Sequence, residues 1–234
     1  MITQDEQKRR AAERAVELVE DGMKLGLGTG STARRVLEAL AARRGRGELA
    51  GIVGVPTSKS TESYARELGI PLATLDEETH LDLTLDGADE VDPGLDLIKG
   101  LGGALLWEKI VAAATDRLVI VVDESKLVTR LGLRSPLPVE VVPFGWRTHL
   151  DPLRAMGAEF ELRKQGNGSP FVTDGGHYII DCGFPGGIEN PERVEARLKG
   201  RPGVVETGLF LGMADTVVVA GAEGVRVLRA ESRR

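Results

Sequence analysis

The feature that most constrains the fold is an alternation of short apolar segments with helix-like segments along the first half of the chain. Residues 24–27 predict a strand and residues 33–43 a helix, with the glycine-rich turn 28–32 between them. A preceding segment, residues 3–23, spaces its apolar side chains as on one face of an amphipathic helix. Alternating strands and helices favour a parallel sheet that is covered by helices on both faces.

The alternation continues to residue 130, and the pattern changes after residue 131. We predict further strands at 51–55, 71–75, 81–85 and 117–122, and helices at 58–68 and 103–115. In the later part the predicted strands are 139–142, 158–163, 170–173 and 178–181, and the predicted helices are 148–156 and 191–198. Two final apolar segments, 208–211 and 216–219, are expected to return to the first sheet.

These patterns predict an α/β protein with two domains. The main domain, residues 1–130 and 208–234, is expected to be Rossmann-like with a parallel sheet. The small domain, residues 131–207, is expected to be an inserted α+β domain of the ferredoxin-like type. Hydrophobic residues make up 41% of the chain but aromatic residues only 4%, so the core must be largely aliphatic.

The charge balance argues against a nucleic-acid partner. The formal net charge is −6, and the basic clusters, Lys8-Arg9-Arg10 and Arg233-Arg234, are short and terminal. Nucleic-acid-binding proteins usually carry a basic face or tail, which is not visible here. A small anion would instead be held by a few local cations and backbone N–H groups.

The single cysteine, Cys182, allows no intrachain disulfide, which agrees with a reducing cytoplasm. It lies in a strand-like segment, where a cysteine is usually a small buried residue rather than a reactive thiol. The amino-terminal residues lack the apolar segment of a signal peptide, and no apolar run approaches the roughly 20 residues of a membrane span. We therefore expect a cytoplasmic protein without a membrane partner.

The turn after the first strand is Gly28-Thr29-Gly30-Ser31-Thr32. Its glycines allow a tight turn that aims backbone N–H groups at an anion, and the helix N-terminus adds a favourable dipole. The hydroxyl groups of Ser31 and Thr32 add donors, so the pattern predicts a phosphate or carboxylate site. A purely structural turn is the alternative. A dinucleotide site is disfavoured, because Ser31 replaces the third glycine of that motif and no acidic residue ends the next strand.

A second polar turn, Asp86-Gly87-Ala88-Asp89, follows another predicted strand. Ligands of open α/β sheets bind outside the carboxyl ends of the strands. The two carboxylates are therefore candidates for work on substrate hydroxyl groups or for binding a divalent cation. Lys99 follows closely and argues against the cation. An acidic surface turn is the alternative interpretation.

Two lysines stand at similar boundaries. Lys99 is followed by Gly100, Leu101 and Gly102, and its small neighbours would let it reach a ligand and neutralise charge on a sugar oxygen. Lys126 follows the most apolar strand of the chain and is a candidate phosphate cation. An ordinary solvated lysine is the alternative for both.

Glu108 lies on a helix whose other residues are almost all apolar. Its neighbours on the helix surface are apolar, and Lys109 is the only other charged residue of this helix. A carboxylate on such a face is expected to be partly desolvated, which makes it a better proton acceptor. A surface glutamate, or one partner of an ion pair, is the alternative.

Taken together, these segments resemble the ribose-5-phosphate isomerase A family. The likeness runs nearly end to end, in order, through segments 28–32, 86–90, 99–102, 108–110, 123–126, 138–144 and 203–210. The resemblance implies an aldose–ketose isomerase that interconverts D-ribose 5-phosphate and D-ribulose 5-phosphate in the non-oxidative pentose phosphate pathway. It also implies a homodimer that needs no metal or organic cofactor.

The same resemblance implies roles for individual residues. Glu108 would be the base that moves a proton between C1 and C2 through an enediolate. Asp86, Asp89 and Lys99 would handle ring opening and stabilise the charged intermediate. The implied substrate-binding positions are Thr29, Gly30, Ser31, Thr32, Asp86, Gly87, Ala88, Asp89, Lys99, Gly100, Leu101, Gly102, Lys126 and Lys8.

Two positions depart from the family pattern. Leu101 stands where many members have glycine, and Trp107 stands where many have a basic residue. Neither change removes a proposed catalytic group, but Leu101 affects the expected shape of the Lys99 loop.

Two other functions are compatible with parts of the sequence. A sugar-phosphate sensor without enzymatic activity would use a related α/β fold, but such regulators carry a DNA-binding helix-turn-helix, and no basic amino-terminal domain is apparent. A nucleotide-dependent oxidoreductase would rest on the glycine-rich turn alone.

Overall fold

A computed structural model describes residues 2–230 of the 234-residue chain, and the chain divides into two compact units. The first unit comprises Met1–Ala88, Trp107–Lys126 and Met213–Arg234, and the second comprises Asp89–Leu106 and Leu127–Gly212. The second unit is therefore larger than the domain expected at 131–207, chiefly because residues 89–106 belong to it.

The helices and strands are numbered here in chain order. The helices are α1 (Gln4–Val16), α2 (Ser31–Gly45), α3 (Lys59–Glu67), α4 (Leu105–Ala113), α5 (Leu150–Ala155) and α6 (Pro191–Lys199), with 3₁₀ turns at Glu124–Lys126 and Trp146–His149. The strands are β1 (Lys24–Leu27), β2 (Val53–Pro56), β3 (Leu83–Asp86), β4 (Glu90–Val91), β5 (Leu97–Ile98), β6 (Leu118–Asp123), β7 (Leu137–Val141), β8 (Glu159–Leu162), β9 (Tyr178–Gly183), β10 (Val204–Thr207), β11 (Leu209–Phe210), β12 (Thr216–Gly221) and β13 (Gly224–Arg229). Within residues 2–230, no helix is both long and apolar enough to cross a membrane.

The sheet of the first unit has six strands in the order β13-β12-β6-β3-β1-β2. Neighbouring strands are parallel except for β12 and β13, which confirms the predicted α/β class. From β1 the chain moves to β2 on one side and then returns to place β3 on the other side of β1. Ligands of open α/β sheets bind at such a switch point, outside the carboxyl ends of the strands.

Burial explains why these segments form strands. All six residues of β6 are buried, as expected for a central strand that is covered on both faces. Helices α1 and α2 add residues such as Ala11, Ala15, Val36 and Leu40 to the same core. The buried cluster consists of Ala, Val, Leu and Ile side chains, as the low aromatic content predicts.

Helix α1 begins where the sequence predicts and ends earlier. The Thr3 hydroxyl group accepts a hydrogen bond from the Glu6 N–H at 3.2 Å, which caps the helix. The helix ends at Val16 rather than at residue 23, and the chain turns at residues 17 and 18. Gly22, farther on, adopts a φ of 86°, a conformation that favours glycine.

Arg43 lies in the last turn of α2 and binds the chain where α1 ends. Its Nη1 atom donates to the carbonyl oxygens of Val16 and Val19 at 2.6 and 3.1 Å, and its Nε atom donates to Glu48 at 2.9 Å. The last carbonyl groups of a helix lack hydrogen-bond partners within the helix. The Arg43 guanidinium group provides donors where α1 ends.

The four-stranded sheet of the second unit has the order β10-β7-β9-β8, and all neighbouring pairs are antiparallel. Helix α5 lies between β7 and β8 in the chain, and α6 lies between β9 and β10. A β-α-β-β-α-β order of elements is the ferredoxin-like arrangement. The predicted type of the small domain is therefore confirmed.

The segment 208–211 was expected in the first sheet, and this prediction is wrong. Strand β11 pairs with β5, which pairs with β4, in a three-stranded antiparallel sheet of the second unit. Two backbone hydrogen bonds hold it there: the Gly208 N–H donates to the Pro138 carbonyl at 2.8 Å, and the Lys99 N–H donates to the Gly208 carbonyl at 2.9 Å. The segment 216–219 does join the first sheet, as part of β12.

Two other predicted strands, 71–75 and 170–173, do not form. Each makes a single bridge, Leu72 with Gly54 and Pro170 with Lys164. Both segments begin with a proline, which has no N–H to donate to a ladder.

Candidate active site

The two polar turns that follow β1 and β3 are in direct contact. A Cβ atom on Gly28 would overlap the Asp86 carboxylate and lie 2.6 Å from Asp86 Cα, so only glycine fits. The Gly28 N–H donates to the Leu85 carbonyl at 3.0 Å, and the Thr29 N–H donates to Asp86 Oδ1 at 3.1 Å. The glycine-rich turn and the acidic turn therefore meet at the switch point of the first sheet.

Helix α2 begins directly after the glycine-rich turn. Its N-cap residue, Gly30, has a φ of 107° and no side chain to cap the helix. The first backbone N–H groups and the positive end of the helix dipole are thus available at this turn. Lys8 of α1 donates from Nζ to Ser31 Oγ at 3.1 Å, which brings an ammonium group to the same place. This arrangement suits a phosphate group.

The side chain of Thr29 is held by neighbouring hydroxyl groups. Its Oγ1 atom lies 2.7, 2.8 and 3.1 Å from the hydroxyl oxygens of Thr57, Ser58 and Thr61. The sequence analysis missed these three partners. Their one local signal is Ser58, the N-cap residue of α3, which accepts the Thr61 N–H at 3.0 Å. The backbone N–H and the hydroxyl group of Thr29 therefore both help to fix the turn. A substrate contact at Thr29 stays a prediction.

Glu108 lies in the first turn of α4, and its side chain is only 5% exposed. This burial confirms the predicted desolvation. Ile110, two residues later, is exposed to solvent. Helix α4 thus buries a carboxylate and exposes an isoleucine, the reverse of the usual pattern, and a buried polar group is the more informative of the two.

Close packing fixes the Glu108 helix on the sheet of the first unit. A Cβ atom on Gly26 of β1 would lie 2.7 Å from Val111 Cγ1 and 2.8 Å from Thr84 Cβ. The hydroxyl oxygens of Thr84 and Thr115 are 2.6 Å apart, and the Thr115 hydroxyl donates to the Val111 carbonyl at 2.8 Å. Contacts with both β1 and β3 therefore hold in place the helix that carries Glu108.

In the second unit, Lys99 follows β5 and is buried, with 3% of its side chain exposed. Its ammonium nitrogen lies 5.4 Å from the centroid of the Phe210 ring, within range of a cation–π interaction. The loop that follows turns at Gly100 and Gly103, whose φ angles are 107° and 83°. The sequence therefore places the lysine at the start of a loop that needs glycine at these two positions.

Asp89 and this loop contact each other. The Asp89 N–H donates to the Ile98 carbonyl at 2.8 Å, and Asp89 Oδ2 accepts a hydrogen bond from the Leu101 N–H at 2.9 Å. The Leu101 side chain is 40% exposed. Among residues 2–230 the one non-glycine residue with a positive φ is Leu95, so the backbone at Leu101 needs no glycine.

A half-buried ion pair beside the antiparallel sheet holds the same loop. Arg163 Nη1 donates to the carbonyl oxygens of Gly100 and Leu101 at 2.8 and 3.0 Å. Its Nε and Nη2 atoms donate to the two carboxylate oxygens of Asp181 at 2.9 and 2.5 Å. The sequence analysis missed Arg163, because nothing near it in the chain marks a contact with residues 62 and 63 positions away.

The chain matches the family described as ribose 5-phosphate isomerase A (phosphoriboisomerase A) over residues 53–224. It belongs to the ribose 5-phosphate isomerase A family. A relative named ribose-5-phosphate isomerase A, from Roseiflexus sp. (strain RS-1), is 56% identical over 227 residues and covers 97% of each chain. The family likeness found in the sequence is thereby confirmed, and with it the enzyme class, an aldose–ketose isomerase.

Solved structures agree with the family membership. A D-ribose-5-phosphate isomerase in complex with phospho-erythronic acid aligns with a TM-score of 0.95 at 43% identity, covering 97% of this chain and 100% of that chain. The ribose 5-phosphate isomerase from Plasmodium falciparum aligns with a TM-score of 0.93 at 40% identity, covering 96% and 98%. The two-unit α/β architecture is therefore that of the ribose 5-phosphate isomerase A family.

Other residues implied by the family likeness have clear positions. Lys126 is half-buried in the 3₁₀ turn after β6, the strand that neighbours β3. Asp123, at the end of β6, is buried and accepts hydrogen bonds from the Ser125 N–H at 3.1 Å and Gln4 Nε2 at 3.2 Å. In the first unit, the ends of β1, β3 and β6 thus carry segments 28–32 and 86–88 and Lys126.

Trp107, the second departure from the family pattern, has a separate environment. Together with Ile110 and Val111 it lines a cleft of about 590 Å³ in the first unit. The tryptophan itself is half-buried.

Cys182 is fully buried in β9, and burial raises the pKa of its thiol well above the usual range. A thiol that resists ionisation is a poor nucleophile, so the structural interpretation of this cysteine is supported. Within residues 2–230, no group of three or more His, Cys, Asp or Glu side chains is arranged to hold a metal ion.

Proposed function

We propose that this chain interconverts D-ribose 5-phosphate and D-ribulose 5-phosphate through an enediolate, with Glu108 as the base and without a metal or organic cofactor. The buried carboxylate of Glu108 is the observation that carries this proposal. Aldose–ketose isomerisation needs a base for a carbon-bound proton, and a carboxylate that has lost much of its water is a better proton acceptor.

The phosphate group of the substrate is proposed to bind at the N-terminus of α2. The backbone N–H groups after Gly30, the hydroxyl group of Ser31 and the ammonium group of Lys8 support this position. Lys126 is proposed as a further cation. The relative that was solved with phospho-erythronic acid supports a phosphorylated ligand of this kind. Binding energy from the phosphate would then position C1 and C2 for reaction.

The proposed proton transfer begins with the open-chain aldose. Glu108 removes the proton from C2, and the electrons move toward O1 to give the enediolate. A proton then passes from O2 to O1, and the protonated Glu108 returns a proton to C1. The product is the ketose, so atoms and charge balance without any external oxidant or reductant.

Three other groups are proposed to assist this transfer. The ammonium group of Lys99 would stabilise negative charge on the enediolate oxygen, since a fixed cation in a buried position is most effective there. Asp86 and Asp89 would exchange protons with the hydroxyl groups during ring opening. The hydrogen bonds that Asp86 accepts from Thr29 and Asp89 accepts from Leu101 would keep their carboxylates oriented.

The test is the variant Glu108→Gln, assayed for ribose 5-phosphate isomerisation with EDTA present. Loss of the base is expected to lower kcat by about 10²-fold to 10⁴-fold. The free energy of unfolding and the affinity for phosphorylated sugar acids should stay near the wild-type values. Glu62→Gln is the matched control, because Glu62 is an exposed helix residue paired with Arg66, and it should keep full activity.

Each result has a defined meaning. Wild-type activity in EDTA supports an isomerase that needs no metal, and no turnover by the wild type contradicts the proposed reaction. An active wild type with a Glu108→Gln variant of similar kcat would keep the reaction and exclude Glu108 as its base. Binding of ribose 5-phosphate without turnover would instead favour the sensor alternative.

A cytoplasmic location, a homodimer and a role in the non-oxidative pentose phosphate pathway complete the proposal. The family resemblance supports all three. The single buried cysteine also agrees with a reducing compartment.

A further inference from the structure

The loop from Lys99 to Gly103 carries a proposed catalytic lysine but has little regular structure of its own. Its one internal backbone hydrogen bond runs from the Gly103 N–H to the Gly100 carbonyl, at 2.9 Å. Contacts from other residues of the second unit help to fix its shape. We propose that Arg163 is a positioning residue for the isomerase reaction, which holds this loop in its working shape; the inference rests on the proposed function.

The geometry of Arg163 suits this role. One nitrogen, Nη1, binds two successive carbonyl oxygens of the loop, those of Gly100 and Leu101. The other two nitrogens bind both carboxylate oxygens of Asp181 on β9, so the guanidinium plane is itself anchored. A guanidinium group offers five donors in a rigid plane, whereas a lysine offers a single point charge.

Aromatic packing adds a second restraint on the same loop. A Cβ atom on Gly103 would lie 2.6 Å from Phe171 Cε1, so the ring closes directly over the end of the loop. The Arg163 guanidinium lies 5.9 Å from the centroid of the Phe171 ring, and the Phe171 N–H donates to the Arg163 carbonyl at 2.8 Å. Arg163 therefore holds the middle of this short loop, and Phe171 packs against its end.

The Leu101 peptide links this restraint to the chemistry. Its carbonyl group accepts a hydrogen bond from Arg163, and its N–H donates to the carboxylate of Asp89. At the other end of the loop, the Lys99 N–H is held by the Gly208 carbonyl. Loss of Arg163 would free the middle of the loop and change the orientation of both proposed catalytic groups, Asp89 and Lys99. A displacement of about 1 Å at such groups can lower a rate about 10²-fold.

Arg43 provides a closely matched control. Like Arg163, it donates from Nη1 to two carbonyl oxygens and from another nitrogen to a carboxylate. Its partners are the end of α1 and Glu48, none of which is proposed to act in the reaction. Removal of either guanidinium should lower the free energy of unfolding, but only removal of Arg163 should change catalysis.

The experiment compares Arg163→Ala, Arg163→Lys, Asp181→Asn and Arg43→Ala with the wild type. We expect Arg163→Ala to lower kcat by about tenfold to a hundredfold, with a smaller change in KM, because the phosphate contacts lie on other elements. Arg163→Lys should recover little, because an ammonium group cannot bind two carbonyls and both carboxylate oxygens together. Asp181→Asn should lower kcat less than Arg163→Ala does, and Arg43→Ala should keep the wild-type kcat.

Chemical rescue separates positioning from simple destabilisation. Guanidinium ion, added below denaturing concentration, should restore part of the lost kcat of Arg163→Ala, and ammonium ion should not. If Arg163→Ala does not fold, the Asp181→Asn and Arg163→Lys variants decide the question by the same kcat comparison.

Several outcomes would overturn the inference. Wild-type kcat in a folded Arg163→Ala variant would do so, as would an equal loss of kcat in Arg43→Ala, which would point to general destabilisation. These results leave the proposed function intact, since the wild type is active in both. A wild type without isomerase activity would instead contradict the proposed function itself, and the role of Arg163 with it.

Discussion

The contact between Gly28 and Asp86 makes a sharp prediction for the variant Gly28→Ala. The added methyl group would overlap the Asp86 carboxylate and lie 2.6 Å from Asp86 Cα. Rotation of a side chain cannot relieve the second contact, because Cα belongs to the backbone. The ends of β1 and β3 must therefore move apart.

The size of the effect follows from the distances. Ordinary van der Waals contact begins at 3.4 Å, against the 2.6 Å of the added contact, so the two segments must separate by about 0.8 Å. This movement would stretch the Gly28–Leu85 and Thr29–Asp86 hydrogen bonds from 3.0 and 3.1 Å beyond the bonding range. Two lost hydrogen bonds at about 1 kcal/mol each, with about 1–3 kcal/mol for overpacking, lower the free energy of unfolding by about 3–5 kcal/mol.

Urea unfolding and the isomerase assay measure the two consequences separately. Because the turn leads directly into the N-terminus of α2, we also expect kcat/KM to fall by about tenfold to a hundredfold. Gly45→Ala, in the last turn of the same helix, is the control, since its Cβ atom would meet nothing within 4 Å. A Gly28→Ala variant as stable and as active as Gly45→Ala would refute the reasoning.

Two further predictions concern the phosphate site and the pH dependence of stability. Lys8→Ala should raise KM with little change in kcat or in the free energy of unfolding. An unchanged KM would exclude Lys8 from phosphate binding. His149 is buried, and burial together with nearby Arg201 lowers the pKa of its imidazole below 6.5. As the pH falls below 6.5, the unfolded chain gains a proton that the folded protein does not, so the free energy of unfolding should fall by at most about 1.4 kcal/mol per pH unit. His149→Gln should remove this contribution in urea unfolding at successive pH values, and an identical slope in both proteins would contradict it.

Local sequence patterns were sufficient to predict much of the first unit and the burial of Glu108. The first five residues of β6 are apolar because the strand is central, and Gly28 is a glycine because Asp86 leaves no room for a side chain. The burial of Glu108 was predictable because its neighbours on the helix surface are apolar. In each case the physical cause lies within a few residues of the signal or at the end of a neighbouring strand.

The rest depends on contacts between distant parts of the chain. Arg163 resembles any other arginine that follows an antiparallel strand until the Gly100 and Leu101 carbonyls are placed beside it. Strand β11 has the composition of a buried strand, which suits either sheet, and its hydrogen bonds to residues near Lys99 and Pro138 decide the outcome. A pattern of composition can predict that a segment is buried, but not which partner buries it.

The position of β12 in the first sheet has a consequence for the newly synthesised chain. Strand β12 lies between β6 and β13, and α1 packs against both β6 and β12. Translation adds about 5–20 residues per second. Helix α1 and strand β12 therefore emerge from the ribosome about 10–40 s apart.

During that interval the apolar strand β6 has no neighbour on one side. Its sequence, Leu-Val-Ile-Val-Val-Asp, would give an apolar unpaired edge of the kind that pairs with other chains. A chain whose synthesis stops before residue 216 would therefore contain β1, β3 and β6, with the segments at their ends, but would be prone to aggregate. Once it is made, β12 covers the edge of β6 and thereby completes the sheet.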